Sequence, residues 1–139
     1  MDDKLFRFWN HSIGWTVFAI ALFTFGSTVE PTASFWDAGE YISTSAKLQV
    51  GHPPGAPLFQ MIGAFFALFA TSAQKVALMV NFMSVFSSAF TVLFLFWTLT
   101  LLLQKLPNFK NLENLTDRIG FFGSAAVGAL AFCFSDSFW

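Results

Sequence analysis

Charge is what this chain has least of. Asp, Glu, Lys and Arg make up 11% of its 139 residues, where a soluble domain carries about a quarter. The shortage comes in blocks: 13–29, 76–103 and 119–134 contain none of the four. Uncharged apolar runs of about 17–25 residues have the length of membrane-crossing helices. A soluble globular domain is therefore excluded, and an all-α polytopic membrane protein is expected. Cysteine is almost missing as well. Cys133 stands alone in an apolar run, so there is no disulfide framework and no cysteine-rich metal cluster. Seven Lys and Arg residues against eight acids leave no basic patch, and nucleic acid is not an expected partner. The chain also lacks a phosphate-binding glycine loop, a zinc-helix motif and a nucleophile elbow. What it has in plenty is aromatic: 21 Phe and five Trp. The Phe stripes read as lipid contact and helix packing rather than as cofactor boxes. Trp9, Trp15, Trp36 and Trp139 suit interfacial belts.

The first 29 residues hold Lys4 and Arg7 followed by an apolar run. The run is long and bulky, with no convincing small-x-small cleavage site, and reads as an uncleaved signal anchor. The far end, Ser135-Asp136-Ser137-Phe138-Trp139, is abrupt, which suggests the N-terminal piece of a longer protein. Between them the count of crossings turns on 58–71, a 14-residue run containing Gln60. Runs this short more often lie in the interface than span. If it crossed, Lys4, Arg7 and Lys75 would face Lys47, Lys105, Lys110 and Arg118 across the membrane. If it does not, Lys4, Arg7, Lys105, Lys110 and Arg118 share the cytoplasmic side and only Lys47 and Lys75 lie outside. The second arrangement obeys the positive-inside tendency. It gives spans at about 13–29, 76–103 and 119–134. A cytoplasmic N-terminus and an external loop over about 30–75 follow from it. Asp136 then emerges on the same side as Asp37 and His52.

That loop carries the polar chemistry. Asp37-Ala38-Gly39-Glu40 fits a helix start, with Asp37 capping and Glu40 reaching back to the cap backbone. A helix over 38–49 would set Ala38, Tyr41, Ile42, Ser45 and Leu48 on one face and Glu40, Ser43, Thr44 and Lys47 on the other. Gly51 would stop it, and Pro53-Pro54 force an extended turn before a short helix at 58–71. Two readings stay open here. Asp37 and Glu40 can be a capping box and nothing more, and His52 can simply satisfy a loop carbonyl. Alternatively, acids and a histidine at the lipid–water boundary mark a working site.

Together, Phe35-Trp36-Asp37-Ala38-Gly39-Glu40-Tyr41 and Val50-Gly51-His52-Pro53-Pro54-Gly55-Ala56-Pro57-Leu58 resemble the first external loop of the protein O-mannosyltransferase-like family of GT-C membrane glycosyltransferases. The resemblance implies GT-C-like N-terminal helices with a long first external loop containing juxtamembrane helices. It also implies sugar transfer from a polyprenyl-phosphate donor, on the periplasmic or external face of the inner (plasma) membrane. Residue by residue, Asp37 matches the catalytic aspartate, His52-Pro53-Pro54 the His-Pro-Pro motif, and Asp136 more loosely a second external acid. One departure stands out: the family's protein mannosyltransferases carry Asp-Glu as neighbours, whereas Ala38 follows Asp37 here and the glutamate is Glu40.

The expected function is transfer of a sugar, mannose by the resemblance, to a Ser or Thr hydroxyl of an exported protein. Asp37 would be the general base and Glu40 would orient its loop, while His52 and Lys47 would receive the donor phosphate. No cofactor is predicted. Carboxylates such as Asp37 and Asp136 are suitable hard ligands for a divalent metal, but two acids do not by themselves predict one. The rivals are a transporter or channel subunit, disfavoured because the three spans hold no ionisable residue in their interiors, and a non-enzymatic membrane assembly factor.

Overall fold

In the computed structural model the residues described are 1–34, 36–109 and 112–135. Every regular element among them is helical: α1 (Asp3–Ser27), α2 (Ala38–Lys47), α3 (Pro57–Ala67), α4 (Val76–Leu103) and α5 (Leu115–Cys133), with 3-10 turns at Ala73–Lys75 and Pro107–Phe109. One stretch among the described residues, Ala73–Leu103, is long and apolar enough to cross a membrane. It contains the expected span at 76–103. The other two expected spans are helices as well, α1 and α5. Their apolar portions are shorter: α1 stays polar through His11 and Ser12 and stops at Ser27, and α5 opens with Asp117 and Arg118.

The chain divides into two compact units. The first holds residues 1–25 and 88–139. Its core follows helical spacing: Val17, Ala21 and Phe25 from α1; Ala89, Val92, Leu93 and Phe96 from α4; and Phe121, Phe122, Ala125, Ala129 and Cys133 from α5. Gly14 lets α1 and α4 approach closely, since a Cβ there would come within 2.6 Å of Trp97 Nε1. The same indole donates a hydrogen bond of 3.4 Å to the Asn10 carbonyl.

The second unit, Gly26–Ser87, contains α2, α3 and the first three turns of α4. Helix α2 ends at Lys47 rather than at 49. Leu48 turns left-handed (φ 49, ψ 44), and the N–H groups of Leu48 and Gln49 close back on the Ser45 and Thr44 carbonyls. Pro57 starts α3 at its first turn, where a missing N–H costs nothing. The two helices pack face to face. Ser45 and Gly63 meet at the crossing, where a Cβ on Gly63 would lie 2.7 Å from Ser45 Oγ, and the rings of Tyr41 and Phe59 sit edge to face at 5.2 Å. The other side of α3 and the turn after it present Leu58, Met61, Ile62, Phe65, Leu68 and Phe69 outward.

Candidate functional site

Three polar side chains of the second unit converge. Asp37 precedes the first turn of α2, Glu40 lies within that turn, and His52 comes from the loop joining α2 to α3. One ligand atom from each lies within 4.8 Å of the other two. Glu40 holds His52 at two points. One carboxylate oxygen accepts the His52 backbone N–H at 2.7 Å, and the other meets ring Nδ1 at 2.6 Å. With Nδ1 engaged, Nε2 is the ring donor left for a ligand. The pairing shifts both groups. The backbone N–H of His52, then its ring, hold the Glu40 carboxyl below the ordinary value of 4.5. The hydrogen bond to Glu40 raises the imidazole above 6.5, with Asp37 adding a weaker pull. Over the intervening pH range the pair is a carboxylate facing an imidazolium.

This arrangement corrects the capping-box reading. Asp37 occupies the N-cap position, but no side-chain cap hydrogen bond is made, and only its carbonyl takes part, accepting from Tyr41 N–H at 3.0 Å. Glu40 turns across to His52 instead of back to the cap. Gly51 likewise does not stop the helix, which has already ended at Lys47. A Cβ on Gly51 would fall 3.0 Å from Glu40 Oε1 and 3.2 Å from Gln60 Nε2, so its bare backbone lets the loop close onto the carboxylate. The turn that follows is closed by Gly55 N–H on the His52 carbonyl at 2.9 Å. Gly55 supplies the left-handed φ of 76 that the turn needs.

Beneath the pair lies a small polar network. Thr44 donates to the Glu40 carbonyl at 2.8 Å and accepts from Gln60 Nε2 at 3.2 Å. Both side chains are buried, although helical spacing put Thr44 on the polar face. A second tie fixes the strand of loop before α2: Asn81, in α4, gives both hydrogens of its amide to the carbonyls of Glu30 and Thr32, at 2.8 and 3.0 Å. Lys47 is exposed and stands at the opposite end of α2 from Asp37, about 15 Å along the helix axis. The structure does not bring it to the cluster. Asp136 lies outside the described residues.

Residues 37–139, well over half of the chain, match the family described as "Protein O-mannosyl-transferase TMEM260 N-terminal domain". The chain belongs to this family. A relative from Dictyostelium discoideum named "Protein O-mannosyl-transferase tmem260" is 33% identical over 78 residues, which is 55% of this chain and 10% of that protein. The aligned stretch is thus a tenth of the relative's length. No solved structure matches the chain at a significant level.

The O-mannosyl-transferase family match begins at Asp37 itself, so the Asp37–Glu40–His52 cluster falls inside the shared region. The donor set of two carboxylates and an imidazole also fits a divalent cation, although a cation on Nδ1 would displace the contact that Glu40 makes there. Sequence reasoning missed the polar residues that hold the cluster in place. Their signal was present: Gln60 and Asn81 are lone amides in otherwise apolar helices, positions that need a partner to justify them.

Proposed function

We propose that the protein is a GT-C type membrane glycosyltransferase acting on the external face. On this reading it moves a sugar, mannose, from a polyprenyl-phosphate donor to a Ser or Thr hydroxyl of an exported protein. The observation that carries the reading is the division of labour between two carboxylates. Glu40 is committed to His52 at 2.6 and 2.7 Å, whereas Asp37 makes no capping bond and stays exposed beside the pair. Family membership supports it. In the reaction the acceptor oxygen attacks the anomeric carbon and its proton passes to Asp37. The bond from that carbon to the donor phosphate breaks, and the electron pair leaves with the phosphate. Positioned proton removal contributes roughly 100- to 10,000-fold. The leaving phosphate gains negative charge, and His52, held as an imidazolium by Glu40, faces it with the remaining Nε2–H. Glu40 is then a positioning residue rather than a catalytic one. A divalent cation on the same ligands would need His52 unprotonated, and would supply the positive charge beside the leaving phosphate in place of the imidazolium.

The membrane arrangement belongs to the same proposal. α1, α4 and α5 cross the bilayer, with the N-terminus cytoplasmic, and α3 lies in the external interface on its apolar face. At 11 residues α3 is about 17 Å long, too short for a hydrocarbon core of about 30 Å.

The test is transfer of radiolabelled mannose from polyprenyl-phosphate mannose into protein, by membranes containing the full-length protein. Asp37→Asn should lower the rate by 100-fold or more with unchanged abundance. Full transfer by that variant would remove Asp37 from the mechanism. A wild type inert toward a panel of lipid-linked sugars would end the glycosyltransferase reading.

A further inference from the structure

Trp36 is 97% exposed, the most exposed large apolar side chain among the described residues. Its backbone is left-handed, φ 64, a conformation that bulky residues avoid because Cβ crowds the following carbonyl. Left to itself the turn would favour Gly or Asn at this position. Disfavoured backbone that persists beside a cluster of functional groups is a reason to look for a use. We infer that Trp36 is the platform on which the pyranose ring of the donor stacks, next to Asp37. The inference rests on the glycosyltransferase reading of this site.

The chemistry separates this role from the membrane-anchor role that an exposed Trp otherwise suggests. An indole face carries partial negative charge. The C–H groups of a pyranose face carry partial positive charge, and the hydroxyls around its rim seek carboxylates and imidazoles. Trp36 directly precedes Asp37, whose carboxylate lies within 4.8 Å of ligand atoms of Glu40 and His52. An exposed indole one residue before such a cluster offers an aromatic face and charged hydrogen-bonding groups from one short segment, which a sugar matches and an acyl chain does not. The surface of this unit suited to lipid is a different one, the uncharged stripe of Leu58, Met61 and Phe65 on α3 with Leu68 just after it.

Two measurements on the full-length protein in nanodiscs test it. The first is tryptophan emission during titration with farnesyl-phosphate mannose or with farnesyl phosphate, for wild type and Trp36→Phe. The platform requires an emission change with the mannose compound only, lost in Trp36→Phe. An equal response to farnesyl phosphate would show a lipid contact and overturn it, as would no response at all. The second is the donor KM for transfer. Trp36→Ala and Trp36→Leu should raise it about tenfold and Trp36→Phe only about twofold. Trp36→Leu behaving as well as Trp36→Phe would mean that bulk, not an aromatic face, is needed, and would also overturn the platform. The two readings fail separately. A mannose-dependent emission change without transfer keeps the sugar subsite and removes the glycosyltransferase reading. Transfer with an unchanged donor KM in all three variants does the reverse.

Discussion

At the scale of single residues, the pair formed by Glu40 and His52 joins α2 to the His-Pro-Pro turn twelve residues on. Its contribution has two edges. Glu40 is held below its ordinary value, so its share is present above the unfolded pKa and is lost as pH falls through the folded one. His52 is raised, so its share is complete below the unfolded value and is lost as pH rises through the folded one. The contribution is therefore complete between pH 4.5 and 6.5, and fades on either side as pH passes each folded-state value. Glu40→Gln removes the main cause of the His52 shift. Its imidazole should titrate at lower pH than in wild type, and donor binding that depends on the imidazolium should weaken at a correspondingly lower pH. NMR of labelled histidine reads the first effect, with His11→Gln used to identify the His52 signal, and the pH profile of the donor KM reads the second. A His52 titration unmoved by Glu40→Gln would mean that the clamp does not form in solution. The sequence marked all three residues of the cluster but not this pairing. The Asp-x-x-Glu spacing allows a capping box, and allows equally a glutamate that pairs across the loop. Only the path of the chain after Leu48 decides which of the two forms.

Among the elements, the decisive contact is the crossing of α2 over α3. Ser45 Oγ is buried without a hydrogen-bond partner, and Gly63 leaves no room for a methyl group against it. Gly63→Ala should therefore destabilise by about 1–3 kcal/mol through overpacking, and Ser45→Gly in the same chain should restore most of the loss. Ser45→Ala alone should be neutral or mildly stabilising, because it removes an unsatisfied buried hydroxyl. Thermal unfolding in one detergent of wild type, the Gly63→Ala, Ser45→Gly and Ser45→Ala single variants and the Gly63→Ala/Ser45→Gly double variant measures this. Additive effects would show that the two positions are not in contact. Helix content was legible in the apolar blocks, although the short helix expected at 58–71 runs from Pro57 to Ala67. The face of α2 that packs on α3 was legible too, through Tyr41 and Ser45; Thr44 was the exception. Spacing assigned Thr44 to solvent, but Gln60 satisfies its hydroxyl, and a satisfied polar group buries at little cost. Periodicity records polarity and not whether a partner exists.

For the molecule as a whole, the question is which way α4 runs. Its 28 residues rise about 42 Å, more than a hydrocarbon core of about 30 Å, so its two flanking lysines, Lys75 and Lys105, should lie on opposite sides. The charge distribution that favours α3 outside the bilayer predicts Lys75 outside and Lys105 inside. Asp37, Glu40 and His52 share a compact unit with α3 and the first turns of α4, so under the proposed function the side reached by Lys75 is the side on which donor and acceptor would meet. In a Cys133→Ala background, an impermeant maleimide applied to intact cells should label Lys75→Cys and spare Lys105→Cys, and inverted vesicles should give the reverse. Labelling of both from one side would make α4 re-entrant. Labelling of Lys75→Cys only from the cytoplasm would make α3 a crossing helix, which would leave Asp37, Glu40 and His52 outside but cut the external loop off before Lys75.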